Sequence, residues 1–385
     1  MEKLLDIQDL RLRFYTYEGV VQALEDVNLY VKEGETLGLV GETGCGKTMT
    51  GLSILSLIPS PGKIEGGKIL FKRKDGTLDI LSQKEAILRS IRGKDISMIF
   101  QEPSSALNPL FTVEDQISEV ILHHRMKELA KKALEELEMD IQSTKGGLKG
   151  FIYGVERKIY KKMLEKPRSL SLKFLSKIPL VRRYQGRIRK EARKEVVKIL
   201  REMEIPDPER VADMYPHELS GGMQQRVVIA MALTCNPKLL TADEPTTNLD
   251  VTVQAQILDL MKRLKKEYQS SILYITHDMG VVAELCDRVA VMYAGSVVEI
   301  ADVMEIFKNP LHPYTKALLE SIPRPGKEFK SIKGMVPSLI NPPSGCRFHP
   351  RCPRVMEICP KVKPKMIEVK KGHFVECHLY PGRVK

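Results

Sequence analysis

The sequence has no apolar run that reaches the ~18 residues needed to cross a bilayer. A spanning helix is therefore not expected, and any tie to a membrane has to be peripheral or through partners. Its first residues, Met1-Glu-Lys-Leu-Leu-Asp, lack the charged-then-apolar layout of a secretory leader, so the expected location is cytosolic. No Cys-x-x-Cys occurs, which makes a zinc ribbon or finger a poor match. No motif recurs, so no repeated nucleotide domain is expected. Acidic residues are nearly missing from 141–190, where fifteen Lys and Arg face only Glu156 and Glu165. That segment carries +13 of a total +12, so the remaining chain sums to −1. The basic character is a local device.

What is present alternates between strand and helix. Strands are expected over Leu5–Tyr15, Ala23–Val31, Thr36–Val40, Ile96–Phe100, Lys238–Ala242 and Ser271–Ile275, with a hairpin of Lys68–Lys72 and Leu78–Leu81 about Asp75-Gly76. Helices are expected from Lys47 to Ile58, over 113–140, 190–204 and 251–268. Buried strands alternating with helices imply a parallel sheet covered by helices.

Three motifs carry chemistry. Gly41-Glu-Thr43-Gly44-Cys45-Gly46-Lys47-Thr48 fits a P-loop, and it lies between a strand and a helix as that loop requires. Its glycines let backbone N–H groups curl around phosphates, and the following helix start adds partial positive charge. Lys47 is expected at the β- and γ-phosphates and Thr48 on Mg²⁺, with Met49 continuing the ATP contact. The apolar run after Lys238 delivers Asp243 and Glu244 at its C-terminal end. Strand alternation aims adjacent side chains apart, so Asp243 can hold Mg²⁺ while Glu244 polarises the attacking water. Leu219-Ser220-Gly221-Gly222-Met223-Gln224 opens a helix; it reads either as an anion cradle or as an ordinary N-cap.

With the Ser-Gly-Gly-x-Gln signature just upstream of the aspartate–glutamate strand, the chain resembles the ABC ATPase family. The resemblance implies that Ser220, Gly221, Gly222, Gln224 and Asp250 act in trans on ATP held by a partner domain. It implies that Gln101 is the glutamine that senses Mg²⁺ and the membrane subunit, and that His277 is the switch histidine near the γ-phosphate. Asn248 departs from the small residue expected before Asp250. The aromatic expected on adenine is Tyr17, with Tyr15 as the alternative.

Asn309-Pro-Leu-His312-Pro313-Tyr314 and the run from Asn341 through Cys346, Cys352, Cys359 and Cys377 look like the C-terminal module of oligopeptide/dipeptide permease ATPase subunits. This resemblance covers nearly the whole chain outside 141–190. It implies a RecA-like P-loop NTPase core of α/β class. An antiparallel β subdomain, an α-helical subdomain over about 102–225 with the basic insert 141–190, and a Cys-rich module over 305–385 following an ATPase domain of 1–304 complete it. Four clustered thiols in a cytosolic chain point to metal before disulfide. A [4Fe–4S] cluster is the expectation, with zinc or unligated thiols as alternatives and His349, His373 and His378 as substitute ligands.

The implied activity is ATP hydrolysis driving import of di- or oligopeptides, or related solutes, at the cytoplasmic face of the membrane. The implied partners are a second homologous ATPase subunit, two transmembrane permease subunits and, indirectly, an external solute-binding protein. The rival function is an ABC ATPase acting on nucleic acid or ribosomes, supported only by the basic insert and the cysteines. In that insert Phe151, Ile152, Val155, Ile159 and Met163 keep helical spacing among Arg157, Lys158, Lys161 and Lys162. It reads as a solvated hairpin or as a helix lying on an anionic membrane, with nucleic acid the weaker ligand.

Overall fold

The computed structural model describes residues 2–143, 148–165, 183–322 and 332–380. Two compact units result: Met1–Gln101 together with Pro237–Lys385, and Glu102–Asn236. The first unit holds strands β1 (Lys3–Thr16), β2 (Gly19–Lys32), β3 (Thr36–Val40), β4 (Gly62–Arg73), β5 (Gly76–Asp79), β6 (Ile96–Ile99), β7 (Leu239–Asp243), β8 (Ser271–Thr276), β9 (Arg288–Tyr293), β10 (Ser296–Asp302), β11 (Met366–Lys370) and β12 (His373–Glu376).

These strands make two sheets. The antiparallel sheet runs β2-β1-β4-β5. Its long strand β1 changes register between Ile7 and Leu10, where Asp9 takes a left-handed φ of 46°. That bulge lets Leu5, Ile7, Leu10 and Leu12 all reach the core, although simple alternation would expose two of them. The larger sheet runs β11-β12-β10-β9-β3-β8-β7-β6. Its centre, β6-β7-β8-β3-β9, is parallel throughout. Every residue of β3, β7, β8 and β9 is buried, which is why these strands read as nearly unbroken apolar runs. β12 pairs antiparallel with β10, so the C-terminal stretch extends the core sheet.

Several expected boundaries move. The helix after the P-loop, Lys47–Ile54, ends four residues before the expected Ile58, and Ser56 then turns through a φ of 51°. β5 stops at Asp79, whose carboxylate accepts from Leu81 N–H and starts a tight turn where strand was expected. The helical stretch expected over 113–140 is two helices, Val113–His124 and Met126–Ser143. They break at Arg125, whose guanidinium is held by Glu128 and Glu195.

The unit Glu102–Asn236 is helical. Of the basic insert, 144–147 and 166–182 lie outside the described residues. In the helices Leu148–Glu165 and Arg183–Glu202, Ile159, Tyr160, Met163, Tyr184 and Ile188 are buried. The Tyr160 hydroxyl donates to the Tyr184 carbonyl at 2.7 Å. Arg187 is 2.6 Å from Asp140 and 3.5 Å from Glu156, and Lys190 meets Glu136. Of the five apolar residues at helical spacing, Ile159 and Met163 are buried in internal packing and Phe151 alone is exposed. Part of the positive charge is neutralised by the neighbouring acidic helix.

The first unit buries one ion pair deeply. Arg288 on β9 bonds Glu35 at 3.0 Å, lies over the Tyr30 ring at 4.3 Å, and both charged side chains are almost fully enclosed. Glu35→Ala is expected to cost about 3 kcal/mol by leaving the guanidinium unpaired, measured by chemical denaturation against the parent chain.

Candidate functional site

β6, β7, β8 and β3 are neighbours, and all four point the same way. Their C-terminal ends therefore lie side by side, the usual place for ligands in an open parallel sheet. β3 leads into Gly41–Thr48, β7 ends at Asp243, β8 is followed by His277, and Gln101 comes just after β6. The topology collects four separate sequence motifs at one edge.

The P-loop needs glycine on steric grounds. A Cβ on Gly41, at φ 155°, would sit 2.1 Å from the Met292 carbonyl; on Gly46, at φ 104°, it would sit 2.8 Å from the Ala23 carbonyl. Lys47 is buried, and its ammonium donates to the Gly41 carbonyl at 2.7 Å and the Glu42 carbonyl at 3.1 Å. The lysine is folded back on its own loop. Thr43 and Gly44 are exposed, Cys45 is buried, and burial raises the Cys45 thiol above its usual range. Met49 is partly buried against the core, and its carbonyl accepts from Ser53.

Asp243 and Glu244 take different surroundings. Asp243 is 2% exposed, the nearby Thr48 hydroxyl favours its ionised form, and its Oδ1 has no protein partner. Burial pushes its carboxyl up to about 6. A hydroxyl beside a buried, half-satisfied carboxylate is the donor set that a hard cation fits. Glu244 leaves the strand with φ 44°, a left-handed conformation that turns its side chain away from Asp243. Its Oε1 lies 3.0 Å from His277 Nδ1, and its Oε2 accepts from Gln101 Nε2 at 3.2 Å and the Thr247 hydroxyl at 3.0 Å. Gln101, Glu244 and His277 thus converge on one carboxylate.

Other expected residues lie elsewhere. Ser220 caps the helix Gly221–Leu233 by accepting from Met223 N–H, and it and Gly221 are exposed on the helical unit. Gln224 is turned back onto the Pro216 and Leu219 carbonyls. Asp250 is exposed and caps the helix Val251–Tyr268 through Val253 N–H. The departure at Asn248 has a backbone reason: its φ is 67°, which asparagine adopts more readily than most residues. Tyr17 is fully exposed, whereas Tyr15 bonds Glu65 and lies under the Lys63 ammonium.

Cys346, Cys352, Cys359 and Cys377 are free thiols, near enough that the other three add to the rise that burial imposes on Cys346, to about 12. Among the described residues, however, no three His, Cys, Asp or Glu side chains converge to hold a metal ion. The substitute ligands are engaged elsewhere: His349 with the Cys346 carbonyl, His373 with Glu299, and His378 with the Val362 carbonyl.

One set of contacts had no sequence signal beyond family likeness. The Glu42 N–H donates to the Tyr314 hydroxyl at 2.9 Å. Arg351 holds the Glu42 carboxylate through both Nη atoms, at 2.7 and 3.0 Å.

A P-loop, a buried carboxylate on its threonine and a glutamate held by histidine and glutamine are the parts of a nucleotide-hydrolysing cassette. Residues 24–247 match the family model described as ABC transporter, and 298–359 match that of the oligopeptide/dipeptide transporter C-terminal region. The dipeptide transport ATP-binding protein DppD of Bacillus subtilis is 44% identical over 389 residues, covering 100% of this chain and 97% of the relative. The oligopeptide transport ATP-binding protein AppD of the same organism is 42% identical, covering 99% and 98%. A dimeric ATP-binding cassette, MJ0796, solved in a post-hydrolysis state with ADP and Pi, shares the fold. Its TM-score is 0.53 at 24% identity, over 78% of this chain and 98% of that one. The chain belongs to the ABC transporter family, as an ABC ATPase and ATP-binding subunit of the oligopeptide/dipeptide branch. Among the described residues no helix is long and apolar enough to cross a membrane.

Asp243 has a checkable linkage. Its folded value of about 6 lies above the ordinary 3.8, so the native state binds the proton more tightly and the carboxylate destabilises the fold as pH rises from 3.8 through 6. In the nucleotide-free chain, Asp243→Asn should be more stable than the parent above pH 6, by up to about 3 kcal/mol. That advantage should vanish below pH 4 in paired thermal melts.

Proposed function

We propose that this chain hydrolyses ATP to drive import of dipeptides or oligopeptides across the cytoplasmic membrane, from a peripheral position on its inner face. The observation that carries the catalytic part is the Glu244 carboxylate, held between His277 and Gln101 one residue beyond the Thr48–Asp243 contact. Lys47 exchanges its loop carbonyls for the β- and γ-phosphates. Gly41, Thr43, Gly44, Cys45, Gly46, Thr48 and Met49 line the phosphates, and Tyr17 stacks on adenine. Thr48, Asp243 and Gln101 would hold Mg²⁺, which when bound neutralises phosphate charge. Glu244 accepts a proton from the attacking water, and His277 orients that carboxylate and reaches the γ-phosphate.

The two halves of a working site come from two chains. Ser220, Gly221, Gly222, Gln224 and Asp250 serve ATP bound on a partner, a second homologous ATPase subunit. Two transmembrane permease subunits and an external solute-binding protein complete the system. The peptide cargo is supported by relatives named for dipeptide and oligopeptide transport. The nucleic-acid reading gains nothing, and Arg157, Arg187 and Lys190 of the described basic insert are paired with acids.

The four thiols of the 305–385 module are proposed ligands of an iron–sulfur cluster, with zinc the lesser alternative. Support comes from the all-thiol donor set and from backbone N–H groups that donate to two of the sulfurs, Arg354 to Cys352 and Met356 to Cys359, both at 3.4 Å. Binding would require the sulfurs to draw together. Anaerobically purified chain is expected to contain iron and to absorb visible light, and Cys346→Ser should remove both.

Glu244→Gln should bind MgATP within about threefold of the parent and lose at least about a hundredfold in phosphate release. It should also trap a closed dimer on size-exclusion chromatography. Near-parental turnover would refute the base assignment.

A further inference from the structure

A loop that binds a polyanion carries a carboxylate in its second position, Glu42, directly after Gly41. An ionised glutamate there repels the phosphates that Lys47 and the loop N–H groups attract. The structure answers that repulsion from more than three hundred residues away. The Arg351 side chain is 5% exposed, and its two Nη atoms make paired bonds to the Glu42 carboxylate. The guanidinium has no freedom to turn elsewhere. Its Nε donates to the Lys333 carbonyl at 3.0 Å, and one Nη also reaches the Tyr293 hydroxyl at 3.3 Å. Tyr293 packs on Tyr314 and Phe348, with ring centres 4.6 and 5.1 Å away. Tyr314 in turn accepts the Glu42 N–H. Glu42 is thereby gripped at backbone and side chain by the chain after residue 312.

We propose that Arg351 is a positioning residue for nucleotide binding: it neutralises Glu42 and draws its carboxylate aside, so that the phosphate loop presents net positive charge to the nucleotide. The proposal rests on the reading of Gly41–Thr48 as the nucleotide loop. It makes the C-terminal stretch part of the nucleotide site, through charge rather than through contact with the ligand. A paired arginine–carboxylate contact is short, directional and strong enough to hold such a side chain.

The test is a titration of the full chain with a fluorescent ADP analogue and Mg²⁺ at two salt concentrations. Arg351→Gln is expected to bind about tenfold more weakly, less so at high salt, because a bare carboxylate then faces the phosphates. Glu42→Gln should stay within about threefold of the parent, and Glu42→Gln/Arg351→Gln should recover most of the lost affinity. Recovery separates charge compensation from a general prop, since a structural defect at Arg351 would persist in the double variant. If Arg351→Gln does not fold, Glu42→Asp carries the test. Its shorter carboxylate cannot keep both bonds, so it should bind at least about threefold more weakly than Glu42→Gln. Parental affinity in Arg351→Gln, loss that Glu42→Gln does not relieve, or equal affinity of Glu42→Asp and Glu42→Gln each overturns the proposal. Lys47→Ala is the separate check: if it binds as the parent does, the nucleotide-loop reading itself fails.

Discussion

Negative charge has to be managed wherever a protein holds a phosphate chain, and that constraint organises this molecule. Three carboxylates, Glu42, Asp243 and Glu244, belong to segments at the C-terminal edge of one parallel sheet, and each is handled differently. Asp243 is buried against Thr48 with an oxygen to spare, a state that favours either a proton or a cation. Glu244 is turned away by an unusual backbone angle and held by neutral or weakly basic side chains. Glu42 is neutralised outright by Arg351. On the proposed reading, the arrangement keeps one carboxylate for a cation and one for a water, and removes the third from play.

The parallel sheet makes this economy workable. Four strands with buried faces hold their C-terminal ends in a fixed row, so loops from residues 41, 101, 243 and 277 meet without any of them being long. The antiparallel strands β10, β12 and β11 extend the same sheet, and the chain between them returns to the P-loop. Tyr293, at the end of β9, links the two regions by packing against Tyr314 and Phe348. Burial of these aromatics supplies area that a short, charge-rich tail could not bury alone.

Much of the site was legible before any coordinates. The P-loop and the Asp243-Glu244 pair stand out because phosphate chemistry demands those residue types beside strand ends, whereas Gln101 and His277 are implied by the family resemblance. The helix Val251–Tyr268 was readable to the residue because its 3.6-residue period is unbroken and Asp250 caps it. Less legible were features where local preference is overruled. The helix after the P-loop stops early although Leu55, Leu57 and Ile58 are apolar, since Ser56 turns the chain before the prolines. The apolar stripe of Leu148–Glu165 has the spacing of a membrane-lying helix, yet most of what it buries goes against its own unit. Periodicity reports that a face is buried, not what buries it.

The sequence by itself determined the chemistry: glycines where only glycine fits, a lysine and a threonine at a helix start, and carboxylates at the end of an apolar strand. These are local requirements, met within a few residues of chain. Tertiary structure alone decided what stands opposite each of them. Nothing near Glu42 in the chain announces Arg351, and no spacing rule brings Tyr314 to a loop N–H. Such pairings depend on the order of strands in a sheet and on where a distant segment docks, and a one-dimensional pattern does not encode distance across the fold.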